Sequence, residues 1–256
     1  RRAQPADEAG TERMGDCMKY EISRGTIVYN GIKIKDYGVW AKGGGMYSAP
    51  ARRYTPLTVP GRNGVLTIDE GAFEEVEHEY PCFIAEDFPV NIQGLRNALL
   101  ASPGYHTLTD DYNPDEFYNA RYMDGLEVDV APRAIAGSFT LRFRRDPRRF
   151  LKDGAVARVV TNGGELLNPT LYPAKPMIRV TGYGELYIGS QRIAISSGFP
   201  YVDIDSETME CFYGTQSAGT KVVLGADFPE LSAGTTGITW NGSITGVTIT
   251  PRWWRI

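Results

Sequence analysis

Cysteine is scarce: Cys17, Cys82 and Cys211 are the only three in 256 residues, far apart and without CxxC spacing. An odd count at such spacings excludes a disulfide framework and a zinc site, and leaves buried or incidental thiols. Histidine is scarcer still, with His78 and His106 the two available bases. His106 stands near Asp110 and Asp111, but no Ser occupies a GxSxG elbow and no Cys has the surroundings of a catalytic nucleophile. Catalysis is therefore not expected. No run approaches the ~18 apolar residues of a membrane span, and residues 1–17 lack a signal peptide's apolar stretch, so no membrane insertion is expected. Charge of one sign is also lacking: 27 basic against 31 acidic residues leave a formal −4. That balance gives no argument for a nucleic-acid binder held by phosphate contacts.

What is abundant is turn and strand chemistry. Gly at 29 and Pro at 16, with 15 Tyr and 10 Phe, point to a mainly β protein. The length predicts two domains of ordinary size. Residues 1–17 are polar and aperiodic and read as a disordered leader upstream of the natural start, with Met14 and Met18 just before the first periodic residues. A β domain with one helix is expected over 18–151, a linker over 152–175, and a β-sandwich over 176–256.

The least ambiguous signal is Val59-Pro60-Gly61-Arg62-Asn63-Gly64, followed by a strand from Val65 to Ile68. Pro60 presets φ and the two glycines supply positive φ, so a stiff turn places Arg62 at its tip. Asp69-Glu70-Gly71 reads as the end of that strand, with the next beginning at Phe73. Asn30-Gly31 predicts an earlier hairpin. Gly43-Gly44-Gly45 has no following GK[ST] and reads as a flexible loop.

From Glu75 to Tyr80 the alternation is strict: Val76, His78 and Tyr80 on one face, Glu75, Glu77 and Glu79 on the other. Three carboxylates about 7 Å apart want water or basic neighbours. Arg142 and Arg144, alternating with Phe139, Leu141 and Phe143, are candidate suppliers. Asn91 predicts the N-cap of a helix over Ile92–Ala101, with Ile92, Leu95, Leu99 and Leu100 as its apolar stripe. Asp110, Asp111, Asn113, Asp115 and Glu116 are rich in oxygen, yet lack the Gly and the bidentate Glu of an EF-hand, and read as a turn. Arg142, Arg144, Arg145, Arg148 and Arg149 form a short basic patch suited to partner or interdomain salt bridging.

After Pro176, short strands are expected at 177–180, 185–188, 192–195, 201–204, 209–212, 221–224, 237–240 and 243–250, the spacing of an antiparallel sandwich. Asp203 and Asp205 share a strand face without the cross-cleft setting of a glycosidase pair. Asn241-Gly242-Ser243 fits a hairpin turn better than a glycosylation acceptor. The last residues, Arg252-Trp253-Trp254-Arg255, either pack back with Arg stacked on Trp or anchor an interface.

In order and spread these motifs resemble the distal tail protein (Dit) family of long, non-contractile-tailed bacteriophages. The resemblance covers nearly everything after Met18 and rests on the following segments: Asn30-Gly31-Ile32 with Tyr37-Gly38-Val39-Trp40; Val59 to Gly64; the helix with Tyr105 and Asp110; and Arg148-Arg149-Phe150-Leu151. It continues through Asn168-Pro169-Thr170, Pro176 to Gly184, Tyr201 to Asp205, Phe228-Pro229-Glu230-Leu231 and Pro251-Arg252-Trp253-Trp254. Ser232 to Gly237 departs from it, where relatives carry Gly-Asn before the Trp240 strand. The resemblance implies an N-terminal tail-tube-type β domain, a C-terminal sandwich similar to galectins or carbohydrate-binding modules, and a homohexameric hub ring in the virion, made in the host cytoplasm. Implied partners are the tail tube protein, a tail-associated lysin or tail-tip protein and a receptor-binding protein, with DNA in transit through the bore. No cofactor or metal is implied. Arg62, Glu75, Glu77, Glu79, Arg142, Arg144, Trp253 and Trp254 become candidate interface residues, the acidic stripe facing either the bore or a neighbour. The competing reading is a non-catalytic binder of cell-wall glycans, with Tyr183, Tyr187 and Trp240 as an aromatic platform.

Overall fold

A computed structural model describes residues 25–42, 48–84, 87–122, 125–130 and 136–256. The expectations placed on residues 1–17, on Cys17 and on Gly43-Gly44-Gly45 lie outside them. The chain divides into two compact units at the Pro147–Arg148 bond.

The first unit opens with the hairpin β1 (Ile27–Tyr29) and β2 (Ile32–Lys33), turned at Asn30-Gly31 with both residues at positive φ, as that dipeptide requires. It continues through β3 (Val39–Ala41), β4 (Arg52–Leu57), β5 (Leu66–Phe73), β6 (Val76–Ile84), α1 (Phe88–Leu100), β7 (His106–Asp110), β8 (Glu116–Tyr122), β9 (Val128–Val130) and β10 (Gly137–Arg145). Its main sheet runs β2-β1-β7-β8-β10-β6-β3, with β9 also on β10, and β4 and β5 form a separate two-stranded pair among the described residues. β6 and β10 pair antiparallel over nine residues, their inward sides built from Val76, His78, Tyr80, Cys82 and Ile84 against Phe139, Leu141 and Phe143. Among the described residues α1 is the single α-helix, and it buries Phe88, Ile92, Leu95 and Leu99 against this core.

The helix starts four residues before the expected Ile92. Asp87 precedes it with left-handed backbone, its carbonyl accepting from Val90 and Asn91 N–H (3.1 and 3.0 Å), and Pro89 sits in the first turn. Proline is tolerated there because its missing N–H would have no intrahelical partner, so Asn91 is interior and is not the cap. Leu100, at 57% exposure, lies off the buried stripe.

The second unit comprises β11 (Arg149–Leu151), β12 (Arg158–Val160), β13 (Gly164–Asn168), β14 (Met177–Thr181), β15 (Gly184–Ile188), β16 (Gln191–Ile195), β17 (Tyr201–Asp205) and β18 (Glu210–Tyr213). β19 (Gln216–Ser217), β20 (Val222–Leu224), β21 (Gly234–Trp240), β22 (Gly246–Thr250) and β23 (Trp254–Arg255) complete it. A six-stranded sheet, β12-β22-β14-β17-β18-β19, faces a five-stranded one, β13-β21-β15-β16-β20, across one core of Ile, Val, Leu and Trp253. This is the expected sandwich, and each of the eight expected strands has a counterpart.

The boundary is a correction. Residues 152–175, expected as a linker, carry β12 on β22 and β13 on β21, which places the junction at 147/148. The three prolines mark a crossing within the sandwich, where Asn168 Nδ2 donates to the carbonyls of Tyr172 and Leu231 (2.9 and 3.0 Å). A buried amide thus serves the Tyr172 carbonyl before Pro173 and joins the Ala174 N–H at the Leu231 carbonyl. No helix among the described residues is long and apolar enough to cross a membrane, and none of their His, Cys, Asp and Glu side chains cluster as a metal site.

Candidate assembly interface

The opening turn forms as its residues dictate. Arg62 N–H donates to Val59 O (3.2 Å), with Pro60 and Gly61 (φ 80°) between them, the signature of a type II turn. The strand after it is longer than expected. β5 passes through Asp69-Glu70-Gly71 because the local bond from Gly71 N–H to Asp69 Oδ1 (2.9 Å) is absorbed as an irregularity, the register of β4 shifting between Arg52 and Tyr54.

The result is a two-stranded ribbon with, among the described residues, no further strand on either edge. Leu57 opposite Leu66 and Thr55 opposite Ile68 share one face; Pro56 opposite Thr67 and Tyr54 opposite Asp69 share the other. Leu57, Leu66 and Ile68 are 40–49% exposed, and Val65 at the turn is 55% exposed. A two-stranded ribbon with an exposed apolar face is marginal in isolation. Ion pairs Arg52–Asp69 (3.0 Å) and Arg53–Glu74 (3.0 Å), all exposed, hold the base of the ribbon and contribute little each. Arg62 at the tip is exposed and has no side-chain partner among the described residues. The ribbon's apolar face was readable as Thr55-x-Leu57 and Leu66-x-Ile68 alternating on either side of the turn, a pattern the sequence reading passed over.

The acidic stripe lies against arginines of β8 and β10. Glu77 lies opposite Arg144, Glu79 opposite Arg142 (2.7 Å), and Arg121 on β8 reaches Glu75 (2.7 Å). Tyr105 also donates to Glu75, and this bond first, then the guanidinium, holds the Glu75 carboxyl below its ordinary value. Two of the carboxylates are thus ion-paired with arginines of the same chain, and Glu77 is a cross-strand neighbour of Arg144 with no ion pair to it among the described residues. Sequence showed Arg142 and Arg144 as suppliers; Arg121 and Tyr105 are 46 and 30 residues from Glu75, and no local pattern announces them.

Trp253 and Trp254 are likewise used within their own unit. Trp253 is in the sandwich core at 1% exposure. Trp254 stacks on Tyr172 (4.4 Å between centroids) and donates from Nε1 to Pro173 O (2.9 Å). The arginine beside them does not stack on tryptophan: Arg252 makes a bidentate pair with Asp205 (2.6 and 2.9 Å). Charge pairing in a fork geometry is preferred here to a cation–π contact.

Asp203 is likewise taken, by Arg179 (2.7 and 2.8 Å), whose guanidinium covers the Tyr201 ring at 4.4 Å. His78 is buried beside Tyr80 (4.5 Å), and the His106 ring lies 3.2 Å from Pro103 O. Asp110 accepts from Tyr80 OH (2.7 Å) and from Tyr112 and Asn113 N–H (3.0 and 2.8 Å), making the acidic segment the turn it was read as. Burial pushes the Cys82 and Cys211 thiols up to about 12 and about 11, far from thiolate chemistry at neutral pH.

The aromatic platform is not assembled. Trp240 pairs with Leu186 and packs toward the core, whereas Tyr187, paired with Thr239, lies on the opposite, outer side of the sheet. Tyr187 OH donates to Glu185 (2.8 Å), which also takes Arg192 Nε (3.0 Å) and Asn241 Nδ2 (3.3 Å). Tyr183 is half-exposed in the turn before β15. Hydrogen bonds from Arg192, then Tyr187 and Asn241, lower the Glu185 carboxyl to about 2. A carboxyl-carbon NMR titration is expected to find its midpoint there, and in the Arg192→Ala variant nearer the ordinary 4.5; a wild-type midpoint at 4.5 would mean the cluster is open in solution.

No family model matches the chain, and no curated protein does. Among solved structures, the chain overlays on the SPP1 Dit protein, described as a paradigm of the hub adsorption apparatus in phages infecting Gram-positive bacteria. The TM-score is 0.68 at 18% identity, covering 88% of this chain and 96% of that one. Chains of the phage P2 baseplate in its activated conformation, with Ca and with Sr, give TM-scores of 0.49 and 0.46 at 8% identity, covering 88% and 91% of this chain and 97% and 98% of theirs. At 18% identity the likeness to SPP1 Dit is one of fold, and it spans nearly all of both molecules: this chain has the SPP1 Dit fold.

Proposed function

We propose that this protein is a structural subunit of a phage tail hub, a homohexameric ring at the distal end of the tail. It joins the tail tube to the tail-tip and adsorption proteins, a tail-associated lysin and a receptor-binding protein among them, and leaves a bore for DNA. The observation that carries this reading is the overlay on SPP1 Dit across 88% of the chain. Its physical support is the β4–β5 ribbon, whose exposed Leu57, Val65, Leu66 and Ile68 suit burial against a neighbouring copy. In this reading Arg62 sits at the contact between subunits, while the pairs Glu79–Arg142 and Glu75–Arg121 stiffen the sheet that bears the ribbon.

Light scattering on the size-excluded full chain tests it. The expected mass is six times the 28.3 kDa of one chain. Replacing residues 54–68 by a short Gly-Ser turn is expected to leave monomers with an unchanged circular-dichroism spectrum outside the lost strands. A wild-type chain that stays monomeric at high concentration would count against the hub, and a hexamer that survives loss of the ribbon would remove the ribbon from the contact.

A further inference from the structure

Four Asn-Gly dipeptides occur in the chain: Asn30-Gly31, Asn63-Gly64, Asn162-Gly163 and Asn241-Gly242. In each, a glycine nitrogen unshielded by a following Cβ stands next to a side-chain amide, the arrangement most prone to intramolecular attack. The tertiary structure treats the four very differently.

Asn162 is held at both ends of its amide, Nδ2 donating to Trp240 O (2.8 Å) and Oδ1 accepting from Trp240 N–H (2.9 Å), and Gly163 N–H is engaged with Ile238 O (3.0 Å). Asn241 donates to Glu185 and accepts from Glu185 N–H (3.3 and 3.2 Å), while Gly242 is pressed against the Gly184 backbone. Asn30 donates its N–H to Thr107 O (2.9 Å) in a turn with paired strands on both sides. Asn63 is exposed, in the loop of the ribbon. Among the described residues neither its amide nor Gly64 N–H has a hydrogen-bond partner, and Gly64 (φ 85°) has open space around it.

We infer that Asn63 is a site of spontaneous deamidation, with water as the co-reactant. Gly64 N gives up its proton to solvent base and bonds to Asn63 Cγ; the Cγ–Nδ2 bond breaks and ammonia leaves, carrying a proton from solvent. Water then opens the succinimide ring at one of its two carbonyls, leaving aspartate or isoaspartate at position 63. One water enters, one ammonia departs, and nothing is oxidised or reduced. The product sets a carboxylate beside Arg62, and isoaspartate lengthens the backbone by one carbon at the tip of the ribbon. Taken with the proposed function, on which this consequence alone rests, the reaction is a clock that runs in unassembled subunits and slows once the tip is covered.

The full chain is incubated at about pH 8, and the four sites are followed by peptide mass mapping, which reads a gain of about 1 Da per event. Because local opening sets access to the reactive geometry, Asn63 is expected to convert at least ~10-fold faster than Asn30, Asn162 or Asn241. Asn63→Gln, which would have to close a six-membered ring, is expected to abolish the fast phase. Equal rates at the four sites, or another site reacting first, would overturn the inference. The measurement is then repeated on assembled rings: slower conversion supports a covered tip, and an unchanged rate removes the tip from the contact while leaving the assignment of Asn63 intact. The monomer result stands whether or not rings form.

Discussion

Trp253→Ala is expected to destabilise the sandwich unit by about 3–5 kcal/mol, the range for deleting a fully buried large aromatic. Trp253 is 1% exposed and belongs to the core between the two sheets. The chain around it is fitted closely to its backbone. A Cβ on Gly154 would lie 2.4 Å from Trp253 N, Leu151 N–H donates to Trp253 O (2.9 Å), and Arg252 N–H donates to Gly154 O (2.7 Å). Urea titration followed by circular dichroism measures the destabilisation. With two units the curve is analysed as two transitions, and the one belonging to residues 148–256 is expected to shift. A loss below about 1 kcal/mol would mean that the C-terminal segment is not packed in solution.

Asp205→Ala is the second large expected effect, about 2–4 kcal/mol. Asp205 accepts both prongs of Arg252 and the N–H groups of Glu207 (2.9 Å) and Thr208 (3.4 Å), so its loss strands a guanidinium and two turn donors. Removing one member of a buried pair costs about 3–5 kcal/mol, and the 30% exposure of Arg252 brings that down through solvent screening. Arg252 adds backbone strain, being held at φ 61° where a non-glycine residue is disfavoured. The same site sets an acid limit. Burial alone would raise the Asp205 carboxyl, but Arg252 and the Glu207 N–H outweigh it and leave the carboxyl below its ordinary 3.8. A folded value below the unfolded one means that the stabilisation is complete above pH 3.8 and disappears as pH falls through the lower folded value. The difference in stability between wild type and Asp205→Asn is therefore expected to be flat from neutral pH to about 4 and to shrink below it. A difference that grows on acidification would reverse the assignment.

Turns and strand faces were legible locally. Pro60-Gly61 and Asn30-Gly31 each prescribe backbone angles that few other dipeptides adopt, and both turns stand where those residues stand. Val76, His78 and Tyr80 alternate with glutamates, and the buried side of β6 follows that alternation residue by residue. Helix α1 was legible in its stripe and not in its start, because a proline in the first turn looks like a breaker until its missing N–H is placed among those that need no partner. The linker over 152–175 was misread for a related reason. Prolines and glycines suggest an absence of ladder bonds, and only the fold shows that β12 and β13 pair with β22 and β21 and that the Asn168 side chain ties the proline-rich crossing to Leu231.

The sequence by itself determined the β class, a division into two units, and the turns at Asn30-Gly31 and Pro60-Gly61, since these depend on φ preferences and on a period of two that act over neighbouring positions. Tertiary structure alone decided who pairs with whom. Whether Glu75 is bare or bound depends on Arg121 and Tyr105, brought in on β8 and after α1. Whether Trp253 anchors a partner or fills a core depends on a gap left at Gly154. Which of four identical dipeptides stays open to solvent depends on carbonyls up to 78 residues away. Hydrogen bonds and packing close over any separation in the chain, so their partners are a property of the folded topology and not of the local pattern that brings each residue to its face.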